Sequence, residues 1–125
     1  MGLTGLFGAA LSACGLDSPD YSALDAELKA GLARIAGVRV TKARWGASGV
    51  SQAVVVELAL TSASSSAAAR VGRDVLAVVT PLTKKDPASK GDGTFALTLT
   101  GPDGALLARA ADLGLPGTIA AIRAS

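Results

Sequence analysis

The stretch AVVVELALT, residues 53–61, alternates without a break. Val54, Val56, Leu58 and Leu60 fall on one side of an extended chain, and Ala53, Val55, Glu57, Ala59 and Thr61 fall on the other. Such a run is a strand with one wholly apolar face, and that face has to be covered by a second layer. TFALTLT repeats the pattern further on. Phe95, Leu97 and Leu99 oppose Thr94, Ala96, Thr98 and Thr100. A chain with two such strands must build a sheet and supply the elements that cover it.

Two segments have the spacing to serve as cover. In the first, Leu24, Leu28, Leu32 and Ile35 share one helical face. Ser18 or Ser22 is expected to cap this helix, Pro19 suits a first helical position, and Asp20, Asp25 and Glu27 put negative charge in the early turns, where the dipole favours it. Gly37 is the expected stop. In the second segment SASSS offers caps, Val71, Val75 and Val78 form the stripe, and Pro81 is expected to end the helix.

Between and after the helices, VRVTKARW reads as a strand closed by the turn GASG, TKKDPASKGDG as a solvated loop and GPDG as a tight turn. ALLARAADLG is expected to begin as a strand and finish as a helical turn. The order is helix-strand-strand-helix-strand-strand. This is an α+β fold in which two helices pack on one face of a four-stranded, mostly antiparallel sheet. It looks like a duplicated unit in shape, although the two halves share little residue identity. The open face, carrying Ala, Thr and Glu57, is expected to be solvated.

Composition narrows the chemistry. Hydrophobic residues make up 50% of the chain, chiefly Ala, Val and Leu, so one domain can bury a core without disulfides or metals. Aromatic residues are only 3%, which leaves little to stack on sugars or bases, and a net charge of +2 is too small to argue for nucleic acid. With no His and one Cys, neither Ser-His-Asp nor Cys-His nucleophile systems can be assembled, nor ordinary zinc sites. No metal, no cofactor and no enzyme activity are therefore expected. Asp20, Asp25, Glu27, Asp74 and Asp112 are the candidates for a glycosidase-like carboxylate pair, and helix-start electrostatics is the stronger reading of them. SKGDGTF and GPDG lack the ligand series of a calcium loop and the Gly-Lys-Ser/Thr of a phosphate loop, so both read as turns.

The amino-terminal residues speak to place. Leu3 to Ala13 carries no charge and is too short to span a bilayer as a stable helix. It ends in Leu11-Ser12-Ala13-Cys14, which resembles the lipobox of bacterial lipoproteins. That resemblance implies a diacylglyceryl group on the Cys14 sulfur, removal of residues 1–13 as a signal peptide, a lipidated tether over 14–22 and a single domain over 23–125. It also implies anchoring on the extracytoplasmic side of the cell membrane. No Lys or Arg precedes Cys14, a departure from the usual pattern. Either the Met1 amino group serves in their place or the natural start lies upstream. GV after the first helix, VVVELALTS and ARAADLGLPG are similar to small lipoproteins of high-GC Gram-positive bacteria, which implies location and shape and adds no catalytic residue.

One further segment gathers charge. In RVTKARWG, Arg39, Lys42 and Arg44 lie beside Trp45, the only tryptophan, and these four form the candidate interaction patch. In a strand, Lys42 and Arg44 share a side and Trp45 faces the other way. The simpler reading is an edge strand blunted by charge, with Trp45 covering the end of the core. Against it stands a patch for anionic headgroups or an acidic partner. The chain is thus expected to be a membrane-tethered, non-enzymatic envelope lipoprotein that binds or helps assemble another envelope protein. A carrier of a lipid or other small apolar ligand is the competing reading, although the chain from Cys14 onward has little to spare for walling a cavity.

Overall fold

Residues 21–48, 51–85 and 93–124 are described by a computed structural model. Within them α1 (Ser22–Ala33), β1 (Val38–Ser48), β2 (Ser51–Leu60), α2 (Ser65–Thr83), β3 (Thr94–Thr100), β4 (Leu106–Arg109) and α3 (Ile119–Ala124) follow in that order, with a 3-10 turn at Ala111–Leu113. The sheet runs β1-β2-β3-β4. Its outer pairs are antiparallel and the central pair, β2 with β3, is parallel because α2 crosses between them. The fold is α+β, and the expected order of helices and strands is present.

The covering stripe of α1 is Leu24, Leu28 and Leu32, with Ile35 buried just beyond the helix. The start of α1 differs from expectation. Ser22 is the first helical residue rather than the cap, and Tyr21 occupies the cap position with no side-chain cap bond. Ser18 lies outside the described residues, as do Pro19 and Asp20. The helix also stops before Gly37. Arg34 and Ile35 N–H groups bond three residues back to Gly31 and Leu32, which tightens and closes the last turn. Gly37, at φ 79°, then turns the chain into β1.

In α2, Ser64 caps the helix by accepting from the Ala67 N–H at 3.1 Å. Its buried stripe is Val71, Val75, Val79 and Leu82 rather than one through Val78. Val78 instead faces α1, where a Cβ on Gly31 would come within 2.6 Å of it, so the two helices meet through a glycine. Pro81 does not end α2, which runs on to Thr83. Burial of Leu82 and Thr83 holds the last turn, and the Arg123 guanidinium of α3 donates to the Thr83 carbonyl at 3.2 Å. Thr83 therefore belongs to the helix rather than to the solvated loop, most of which lies outside the described residues.

The sheet's inner side carries Val54, Val56, Leu58, Leu60, Phe95, Leu97 and Leu99, all buried as their alternation required. β1 is longer than VRVTKARW and continues through Gly46, Ala47 and Ser48, which pair with Ala53, Gln52 and Ser51. GPDG is the expected turn, closed by bonds from Gly101 N–H to the Ala105 carbonyl and from Gly104 N–H to the Gly101 carbonyl. ALLARAADLG divides into β4 and the 3-10 turn, also as expected. The short α3, which adds Ile119 and Ile122 to the core, was not foreseen.

Candidate functional site

Simple alternation along β1 contains a conflict. Counting by twos from Val38 and Val40 would turn Lys42 and Arg44 toward the core and Trp45 out to solvent. The structure resolves it with one extra residue. Val40 pairs with Leu58 and Lys42 with Glu57, so Thr41 has no partner and forms a bulge. Its hydroxyl donates to the Glu57 carbonyl at 2.8 Å. Beyond the bulge Ala43 and Trp45 point inward, 7% and 2% exposed, while Lys42 and Arg44 stand outside with Arg39.

The structure therefore divides the four candidate residues. Arg39, Lys42 and Arg44 share the open face of the sheet, and Trp45 lies in the core on the opposite side. The Trp45 indole Nε1 is buried with no hydrogen-bond partner among the described residues.

The register extends this face across the sheet, since directly paired residues project to the same side. One row reads Lys42, Glu57, Thr98, Arg109, and the next reads Arg39, Ala59, Thr100, Leu106. Arg44, Val55 and Ala96 form a third. Small residues thus floor the face, and cations stand along both edges. Arg109 was not foreseen as part of it. The signal was present in LLAR, where a strand that buries Ala108 must expose Arg109. Leu106, also on this face, is 49% exposed and is the exposed large hydrophobic among the described residues.

Asp25 fixes the cationic strand to α1. Its Oδ1 accepts from the Trp45 backbone N–H at 2.9 Å and its Oδ2 pairs with Lys29 at 2.7 Å. Burial pushes this carboxyl up. The hydrogen bonds from Lys29 and Trp45, together with the positive charges of Lys29 and Arg44, outweigh that and hold its pKa below the usual carboxylate value. A shallow cleft of about 450 Å³ runs along this junction, bordered by Tyr21, Asp25, Lys29, Lys42 and Arg44. A second depression, about 660 Å³, lies beside Arg39 and reaches the turn at Gly101–Gly104, where Asp103 adds a carboxylate.

Of the other candidate carboxylates Asp20 lies outside the described residues, and the remaining three have structural partners. Glu27 pairs with Lys85 at 2.9 Å, Asp74 with Arg70 at 3.2 Å, and Asp112 accepts from the Arg109 N–H at 2.9 Å. Among the described residues no three His, Cys, Asp or Glu side chains come together as a metal site, and no helix is long and apolar enough to cross a membrane. Cys14 and its neighbours lie outside the described residues. No family model, no curated protein and no solved structure matches this chain.

Proposed function

We propose that this protein is a lipid-anchored, non-enzymatic module of the cell envelope, held on the extracytoplasmic side of the membrane through Cys14 and acting by contact rather than by chemistry. The observation that carries the reading is the open sheet face, where Arg39, Lys42 and Arg44 project together from one edge strand. Exposed cations bordering a floor made chiefly of Ala, Thr and Val suit docking against a negatively charged partner. Anchoring is supported by the apolar run that ends in Leu11-Ser12-Ala13-Cys14. A double acyl anchor holds a protein stably where a single chain does not.

The carrier reading has less behind it. A dent of about 240 Å³ bordered by Ser64, Ala68, Leu107 and Leu113 has apolar lining but is smaller than the several hundred Å³ typical of ligand pockets, and the two larger depressions, of about 450 and 660 Å³, are bordered by charged side chains.

The anchored reading is tested in the native host. Wild-type protein should fractionate with membranes and carry the added mass of a diacylglyceryl group on Cys14, and Cys14→Ser should release it or leave it unprocessed. Soluble wild-type protein that retains residues 1–13 would contradict it.

A further inference from the structure

The open face has a definite charge and a definite place on the chain, and both bear on what it meets. Four cations, Arg39, Lys42, Arg44 and Arg109, border it, against Glu57 within it and Asp103 at one end. Lys42 and Arg109 sit in the same row as Glu57, on either side of it. Arg39 and Arg44 have no carboxylate in their rows, Asp103 lying beside Arg39 at the end of the face and Asp25, already paired with Lys29, near Arg44 at the junction with α1. Leu106 adds one exposed apolar side chain to the same surface. The face spans about 14 Å across four strands, is edged by cations, carries a single exposed leucine and dips beside Arg39 at the Gly101–Gly104 turn. Its excess of positive charge suits an extended anionic layer.

The chain also delivers this face to such a layer. Tyr21 borders the cleft that Lys42 and Arg44 line, and six residues separate it from Cys14. Fully extended, the seven steps between them reach no more than about 25 Å. A domain held that closely by a lipid on Cys14 keeps β1 near the bilayer surface.

We infer that the open face of the sheet docks on the anionic headgroups of the membrane that anchors the protein, with Arg39, Lys42, Arg44 and Arg109 against lipid phosphates and Leu106 at the headgroup boundary. Where the face is held rests on the anchored reading. The charge recognition itself does not. Docking of this kind lays the sheet against the bilayer and turns the helices outward.

The test uses the full chain carrying Cys14→Ser, which has no lipid, so that failure of docking and failure of anchoring are read separately. Its sedimentation is compared between vesicles of phosphatidylcholine alone and vesicles of one part phosphatidylglycerol to two parts phosphatidylcholine, at low salt. Apolar attachment through residues 3–13 would be equal in the two and cancels. Since each cation near an anionic surface raises partitioning about fivefold, the mixed vesicles should retain the protein at least about tenfold better.

Arg39→Gln, Lys42→Gln and Arg44→Gln together should abolish that excess. The same number of charges removed from the helical side, by Arg34→Gln, Arg73→Gln and Lys84→Gln, should leave most of it. Leu106→Ala should lower retention on the mixed vesicles by about threefold and leave that on phosphatidylcholine alone unchanged. Equal urea midpoints would show that the variants remain folded. No excess on anionic vesicles, or equal loss in the two triple variants, would overturn the inference. Retention on immobilised polyglutamate without any vesicle excess would overturn it in favour of an acidic protein partner.

Discussion

β1 and β4 are the two edges of one sheet, and each uses an aspartate to close an outward backbone N–H. Asp112 takes the Arg109 N–H from three residues away, at 2.9 Å. Asp25 takes the Trp45 N–H from twenty residues away and from a different element, at the same distance. β4 spans only Leu106–Arg109, and so short an edge offers little to a foreign strand. β1 runs for 11 residues and needs more. A carboxylate borrowed from α1 closes one position, and three cations discourage pairing along the rest. The short edge is guarded by local chain, whereas the long edge depends on tertiary structure and carries most of the charge that a partner would meet.

The contrast is largest in the core. Trp45 is 2% exposed on β1, whereas the one fully buried residue of β4 is Ala108, with Leu107 only partly buried beside it. Trp45→Ala should cost about 3–5 kcal/mol, and Ala108→Gly about 1 kcal/mol, in urea unfolding. Similar costs at the two sites would break the view that β1 is the better-anchored edge.

The two aspartates sharpen the comparison. Asp25→Ala removes both a charged acceptor for a strand N–H and the Lys29 pair, with the side chain 24% exposed, and should cost about 1–2 kcal/mol. Asp112→Ala, a local and exposed cap, should cost about 0.5–1 kcal/mol. The Asp25 carboxyl titrates below its ordinary value of 3.8 in the folded protein. Its contribution is therefore complete above that value and is lost as pH falls through the lower, folded one. Asp25→Asn should flatten the acid limb of the melting-temperature profile. An unchanged slope below pH ~4 would show that the Trp45 contact does not depend on the charge.

Ion pairing contributes least. The triple exchange of Arg39, Lys42 and Arg44 for Gln should shift unfolding by less than about 0.5 kcal/mol, since all three are exposed and none sits in a salt bridge among the described residues. A loss well above that would make these cations structural and weaken the case for a docking surface.

Much of this was legible from spacing. Period-two runs placed β2 and β3 and their buried faces, and the leucines of α1 placed its covering stripe. What escaped was set by distant contacts. That Lys42 and Arg44 share one side and Trp45 covers the core from the other was legible, but counting from the valines of VRVTKARW reverses those sides, and nothing local marks Thr41 as the residue to leave out. Asp25 had a sufficient local explanation in the helix dipole, so its bond to a strand twenty residues on was hidden. Pro81 is a helix stop by propensity. Buried Leu82 and Thr83 override it. α3 has only six residues, and its two isoleucines are too few to show a period.

The division of β1 into a core side and a docking side turns on the Thr41 bulge, and single-residue deletions test it directly. Removing Thr41 gives a regular ladder in which Val40, Ala43 and Trp45 still face inward and Lys42 and Arg44 still face out. Removing Arg44 also abolishes the extra residue and keeps Trp45 opposite Val54, but it turns Lys42 toward the core. Urea unfolding followed by the emission of the single tryptophan separates the two. The deletion of Thr41 should keep a buried indole and lose no more than about 1–2 kcal/mol, chiefly the hydroxyl bond to Glu57, while the deletion of Arg44 should lose more than about 3 kcal/mol by forcing an unpaired ammonium inward. An exposed indole in the Thr41 deletion, or equal stability of the two deletions, would contradict the assignment of the bulge and of the face it creates.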